Sequence, residues 1–446
     1  MGKLNSNSAA SSEPAGDRIR VVRVIDRLNI GGPAKHVIWL TTGLDANEFD
    51  ATLITGTVPR GEGDMGYFAD ASGVTPVVIN EMSRELGPRD IVVIAKLVRQ
   101  FLKLKPQIIH THKAKAGAAG RIAAFIYKWL TPSALMFRPR ECPVLHTYHG
   151  HVFHSYYGTL KTWMFLTIER ALARLCTDRL LVVSEQQSGE ICKAFHIGRA
   201  EQFRVVPLGL DLDELADDRA HVREQLQLAD DEVAIGIVGR LCEIKNHAMF
   251  LESAARVAED TNGSPSRTRF VVVGDGHLRP SIEGLARELG VADKTAFAGF
   301  RKDATSLYSG FDIVALTSLN EGTPLTLIEA MCSGRAVAAT EVGGVVDLMG
   351  SRLESRDGFT VWEHGVTAAS RDVEGFARAL RYLIERPELR LKMGMGGQSF
   401  VRARFSRRRL VNDIEQIYRE LLSQKTGVTA GAAPRVVSLS GKGNSL

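Results

Sequence analysis

Cysteine is scarce in this chain and never paired in sequence: Cys142, Cys176, Cys192, Cys242 and Cys332 are scattered, odd in number, and form no CxxC. That pattern argues against a disulfide framework and against a structural zinc site. Long apolar runs are missing too, so no bilayer-spanning helix is expected. The opening stretch, MGKLNSNSAASSEPAGD, lacks the apolar core of a secretory leader, and a cytosolic chain is expected from it. GDG at Gly274 to Gly276 lacks the GxGxxG spacing, so it reads as a tight turn and NAD is rejected. A large excess of one charge is absent, the net charge being +5. Few aromatics interleave the basic cluster Arg402, Arg404, Arg407, Arg408 and Arg409, and nucleic acid is not expected as a partner. This cluster, and a second group of Lys113, Lys115 and Arg121, read either as solvated surface or as a surface that meets anionic lipid or an anionic acceptor.

What is present is a β-then-α rhythm repeated twice over 446 residues with 44% hydrophobic content. Such a length suits two domains of about 200 residues. RVVRVID, ATLITG, TPVVI, QIIHTH, VLHTYHG and LLVVSE are strand-like in the first half, and VAIGIVGR, RFVVVGDG, TAFAGF, DIVALTS and AVAATEVGG in the second. The expected fold is α/β, with two Rossmann-like, doubly wound parallel sheets facing across a cleft. The boundaries are a tail over 1–18, a first domain over 19–206 and a second over 207–405. A helix over 406–423 packs back on the domains through Leu410, Ile414, Ile417 and Leu421, and a second tail covers 424–446.

Chemistry concentrates in EGTPLTLIEA, where Glu321 and Glu329 stand eight positions apart. Glu321 and Gly322 precede Pro324, a residue suited to the first turn of a helix, and Glu329 falls inside that helix. A helix N-terminus attracts a diphosphate, and carboxylates on either side of it can accept hydrogen bonds from two sugars. A nucleotide sugar has that shape. Arg240 and Lys245, five positions apart in GRLCEIKN, would stabilise the charge that grows on a departing diphosphate, the alternative being a solvated surface pair.

Other pieces have plainer readings. Asp211 and Asp213 form a DxD in the segment joining the halves and are read as structural. His146, His149, His151 and His154 could ligate zinc, but a strand sends alternate residues to opposite faces and no metal is expected. Gly31 and Gly32 would let backbone approach a phosphate or acceptor closely, or form an ordinary tight turn.

Taken in order, IGGPAKH, HTHKAKAGAAGR, TYHGHVF, VVPLGLDLD, VGRLCEIKNH, VVGDGHLR, FAGFRKDATSLY and EGTPLTLIEAMCSG resemble glycosyltransferase family 4, the retaining GT-B enzymes, over residues 19 to 424. HTYHGHVFH is similar to bacterial members that build exopolysaccharides, O-antigens or capsules on lipid carriers. The resemblance implies donor pyrophosphate on Arg240 and Lys245, with helix N-H groups from Leu325, Thr326 and Leu327. It implies ribose on Glu329, and the transferred sugar on Glu321 with the backbone of Gly322, Thr323 and Pro324. His149 would reach the donor sugar and reaction centre, with His151 as second candidate, and Arg301 would sit near the nucleobase or in solvent. No cofactor is implied beyond the nucleotide sugar as co-substrate. One departure from the family pattern is Asp347, a shorter carboxylate where Glu is usual, and the SALMFRPREC stretch looks long.

The activity implied is retaining, metal-independent hexosyl transfer from a nucleotide sugar, UDP by default, to a lipid-linked or saccharide acceptor. Rival readings are a nucleotide-sugar epimerase of the same fold and a non-catalytic scaffold. YYGTLKTWMFLTIERALARL mixes aromatics, aliphatics and cations at helical spacing, as an interfacial helix on the inner face of the membrane would, and as a core helix can.

Overall fold

A computed structural model describes residues 18–59, 63–82, 89–131, 136, 139–149, 159–211, 218–260, 267–301 and 304–426. His151, His154, Asp213, both chain ends, the start of the YYGTLKTW stretch and much of SALMFRPREC lie outside these residues.

The first sheet has seven strands: β1 (Ile19–Val24), β2 (Phe49–Thr55), β3 (Val77–Val78), β4 (Ile108–His112), β5 (Val144–Thr147), β6 (Arg179–Val182) and β7 (Phe203–Val205). Their order is 3-2-1-4-5-6-7, and every pairing is parallel. The second sheet holds β8 (Glu232–Val238), β9 (Arg267–Val273), β10 (Thr295–Gly299), β11 (Ile313–Leu316), β12 (Ala336–Thr340), β13 (Arg352–Arg356), β14 (Phe359–Trp362) and β15 (Gly365–Ala368). Their order is 10-9-8-11-12-15-14-13. The central strands are β-branched or small and buried on both faces, as parallel strands covered by helices must be. Each sheet reverses winding direction beside its first strand, between β1 and β4 and between β8 and β11, and loops after those strands open into a crevice.

The all-parallel expectation fails at one edge, where β13 and β14 run antiparallel. Two-residue connections leave no room for a crossover, and Gly358 at φ +80° turns the first of them.

The helices include α1 (Gly32–Gly43), α2 (Ala114–Trp129), α3 (Thr159–Leu175), α4 (Leu325–Cys332), α5 (Pro387–Phe405) and α6 (Arg407–Thr426). Pro324 caps α4 in an extended conformation instead of standing in its first turn, so the helix begins one residue later than expected. α6 runs past Ser423 and lies on the first sheet. Leu410, Val411, Ile414, Tyr418 and Leu421 pack there against Val21, Leu40, Phe49, Ile108 and Leu145. Burying each aliphatic side chain of that kind contributes roughly 1.5–3 kcal/mol. The chain thus crosses between halves twice, and the crossings are tied together: Leu210 N-H donates to Phe405 O and Arg407 N-H to Leu210 O, both at 2.8 Å. Asp211 accepts from Arg407 at 3.3 Å beside this tie.

The second basic group is not a surface patch. Arg121 is fully buried and grips Glu169 at 2.6 and 2.8 Å, Lys115 pairs with Asp90 at 3.0 Å, and Lys113 pairs with Asp26 at 2.9 Å. In the arginine cluster, Arg409 is spent on Asp413 and on the carbonyls of Pro207 and Leu208, whereas Arg402, Arg404 and Arg408 are exposed.

Candidate functional site

Two loops of the second sheet are laced together at its switch point. The loop after β8 carries Arg240 and Lys245, and the loop after β11 leads to Glu321. Leu319 N-H donates to Ile244 O at 2.8 Å, and Thr317 Oγ1 donates to the carbonyls of Lys245 and Asn246 at 3.1 and 2.9 Å. Asn246 holds the turn in a left-handed conformation, φ 48°. The lacing brings Lys245 Nζ within 2.6 Å of Glu321 Oε1, which also accepts from Ser318 Oγ at 2.6 Å. Arg240 is exposed beside them, with no ion-pair partner among the described residues.

The EGT loop rests on a second glycine turn. Gly344 N-H donates to Gly322 O at 2.8 Å. Gly343 has φ +52°, and a Cβ there would collide with the Glu321 carbonyl. This support was visible as the TEVGG turn in sequence but carried no assigned role. Asp347 follows on the same short helix, where burial raises its carboxyl against the lowering pull of Arg404.

No side chain caps α4, so its N-terminus is open. Leu325 and Thr326 begin that end, but the Leu327 N-H is turned back to Pro324 O at 3.2 Å and is not free for a phosphate. Thr326 Oγ1 donates to Val238 O at 3.3 Å, tying α4 to β8, and Thr323 Oγ1 is buried without a hydrogen-bond partner. Glu329 sits deeper on α4, where its Oε2 accepts from Tyr308 at 3.0 Å and burial raises its carboxyl. Lys35 on α1 lowers it in part, which shows how near the first domain stands.

Gly31 has φ +152° and Gly32 opens α1. A Cβ on Gly32 would stand 2.7 Å from Leu325 Cδ1, so the first domain's glycine loop touches the start of α4. GDG is a close backbone turn, since a Cβ on Gly274 would strike the Gly239 carbonyl and one on Gly276 the Leu241 carbonyl. Arg301 lies apart from the cluster, after the edge strand β10, and donates to Gln225 at 2.8 Å.

Opposite, His149 follows β5. The structure splits the histidine cluster read from sequence: His146 is buried against Gly117 and bonds Thr111 Oγ1 at 2.9 Å, while His149 turns the other way. It meets instead His112, ring nitrogens 3.0 Å apart, and His36, ring centroids 4.8 Å apart. One layer below, the buried Arg23 donates to Tyr418 on α6 at 3.2 Å, and His110 Nδ1 lies 2.7 Å from the same hydroxyl. Burial drives His36 down to about 3 and keeps His110, His112, His146 and His149 well below the usual imidazole range. His36 and His112 lay inside IGGPAKH and HTHKAKAG without being singled out, because sequence spacing does not show which loops converge.

Residues 30–214 match the family described as Glycosyltransferase Family 4, and residues 232–386 match Glycosyl transferases group 1. The chain is 28% identical to the Escherichia coli UDP-Gal:alpha-D-GlcNAc-diphosphoundecaprenol alpha-1,3-galactosyltransferase, over 76% of this chain and 80% of that one. It is 27% identical to the putative glycosyltransferase EpsD of Bacillus subtilis, over 76% and 83%. Anabaena HepE, solved in complex with UDP, superposes with a TM-score of 0.72 at 19% identity, over 90% of this chain and all of that one. WaaG, a glycosyltransferase of lipopolysaccharide biosynthesis, superposes at 0.62 with 16% identity, over 89% and 99%. With a first half that matches Glycosyltransferase Family 4, a second half that matches Glycosyl transferases group 1 and the GT-B fold joining them, the chain is a glycosyltransferase.

Proposed function

We propose that the protein transfers a hexosyl unit from a UDP-sugar to a lipid-linked sugar or growing polysaccharide, with retention at the anomeric carbon. The observation that carries this reading is the Lys245–Glu321 pair beside the uncapped end of α4. Lys245 and Arg240 receive the diphosphate, and the first N-H groups of α4 complete its cradle. Glu329 accepts from the ribose. Glu321, with the backbone of Gly322, Thr323 and Pro324, holds the hexose, and His149 meets that sugar from the first domain. Arg301 takes a place toward the nucleobase only if its bond to Gln225 opens.

The acceptor hydroxyl attacks the face from which the nucleotide departs, and the leaving phosphate takes its proton. The glycosidic C–O bond breaks as the new one forms, with the negative charge stabilised by Lys245, Arg240 and the helix end. At the diphosphate this work is assigned to side-chain cations and needs no metal there. The relatives support the choice of donor and acceptor: one is a UDP-Gal:alpha-D-GlcNAc-diphosphoundecaprenol galactosyltransferase, and HepE is solved with UDP.

Among the described residues no helix is long and apolar enough to cross a membrane. We assign the approach to an anionic lipid surface to the outer face of α2 and α3, where Trp129, Trp163, Met164 and Leu175 are exposed.

The test is nucleotide release with and without acceptor, followed by mass spectrometry of the product. Transfer predicts UDP only when acceptor is present, and a product heavier by one hexose. An isomerised nucleotide sugar formed without acceptor would show the epimerase instead, and no turnover with any nucleotide sugar bound would leave a scaffold.

A further inference from the structure

Three imidazoles converge at the carboxyl edge of the first sheet from three separate stretches: His36 on α1, His112 at the end of β4, and His149 just after β5. One ligand nitrogen from each lies within 4.8 Å of the other two. His36 and His112 are 3% and 0% exposed. Both nitrogens of His36, Nε2 of His112 and Nδ1 of His149 are buried without a hydrogen-bond partner. Orphaned buried nitrogens are costly, and His36 carries two of them with its ring 4.8 Å from that of His149.

We propose that His36, His112 and His149 form a binding site for a first-row transition-metal ion, with zinc as the resident ion. This departs from the metal-free expectation drawn from sequence, which weighed the cysteines, the DxD at Asp211 and the run from His146 to His154 but neither His36 nor His112. The hydrogen bond between His112 and His149 uses one nitrogen of each ring and none of His36, so hydrogen bonding alone leaves the cluster unsatisfied.

Three imidazoles suit zinc, cobalt or nickel and not magnesium or calcium, which take oxygen. Zinc–nitrogen bonds of about 2.05 Å set a tetrahedral spacing of about 3.4 Å, so the widest pair must close by roughly 1.4 Å, within reach of ring rotation. Arg23, Arg409 and Lys113 are the charged groups that act on these rings. Their positive charge opposes any cation, so the ion must be one that bonds strongly to imidazole lone pairs. Three protein ligands leave one position for water or a ligand hydroxyl. The site stands one turn of α1 from Gly32, on the first-domain side of the crevice.

The readout is metal binding, independent of any glycosyl transfer. Full-length protein prepared without a histidine tag is stripped with chelator and titrated with cobalt, whose tetrahedral complexes absorb strongly in the visible. Metal content after zinc dialysis is measured by mass spectrometry. One equivalent per chain is expected, with zinc displacing cobalt and with affinity falling at least tenfold in His36→Ala and in His112→Ala. The exposed-histidine control His277→Ala should bind normally. Substoichiometric binding by the unaltered protein overturns the proposal, and that result needs no variant to fold. Full binding by His36→Ala with native circular dichroism, or loss of binding in His277→Ala, overturns it equally.

Discussion

Lys245 is asked to do two things, hold Glu321 in the absence of donor and meet the diphosphate in its presence. Lys245→Ala should lower kcat roughly a hundredfold at saturating donor, because removing one transition-state contact costs about 3 kcal/mol. A coupled nucleotide-release assay measures it, and turnover near that of the parent would take Lys245 out of the reaction. Glu329→Gln keeps the shape that Tyr308 packs against but loses the charge. A hydrogen bond to a charged group is worth about 1.5–3 kcal/mol, so KM for the donor should rise at least tenfold with a smaller change in kcat. Glu321, Glu329, Arg240 and Lys245 could be named as candidates from sequence because each belongs to a contiguous loop-and-helix motif after a strand, and the structure brings Lys245 and Glu321 together. The details that escaped depend on contacts between distant segments. Nothing in EGTPLTLIEA announces that Leu327 spends its N-H on Pro324, or that Gly343 must lack a side chain because the Glu321 carbonyl lies against it.

At the level of elements, α6 is the odd member, since it follows the second domain in sequence and completes the first in space. Its apolar spacing predicted a packed face, but the spacing could not name the surface. The face it found includes a polar layer, with Tyr418 serving both the buried Arg23 and His110. Tyr418→Phe should therefore destabilise the protein by about 1–3 kcal/mol, the cost of stranding buried polar partners, although it removes only one oxygen. A lowered urea midpoint with an unchanged slope would show it, and an unchanged midpoint would mean that water replaces the hydroxyl freely. The antiparallel hairpin of β13 and β14 was legible in principle from Asp357-Gly358, the commonest short-turn signal, but the surrounding βα rhythm suggested otherwise.

Across the whole molecule, the buried imidazoles make stability depend on acid. An unfolded histidine takes up a proton near 6.5, whereas folded His36 and His247 resist until about 3 and about 4. Unfolding therefore binds protons below pH 6.5, and stability falls as pH drops through that window, by about 1.4 kcal/mol per unit for each such histidine. His110, His112, His146 and His149 push in the same direction. Glu329, raised by burial, acts oppositely, losing its contribution as pH climbs through its folded value, but it is a single group. Urea midpoints of chelator-stripped protein at pH 7.5, 5.5 and 4.5 should decline steadily, and a flat profile would mean that the cluster is already open to water.

The doubled passage between halves, knotted by Leu210 with Phe405 and Arg407, has one further outcome. A gene fragment ending at Val206 would encode seven strands stripped of the helix that shields them, and its product should precipitate. Supplying residues 407–426 as a separate peptide, or grafting them through a short linker, is the rearrangement that ought to restore a dissolved, cooperatively melting half.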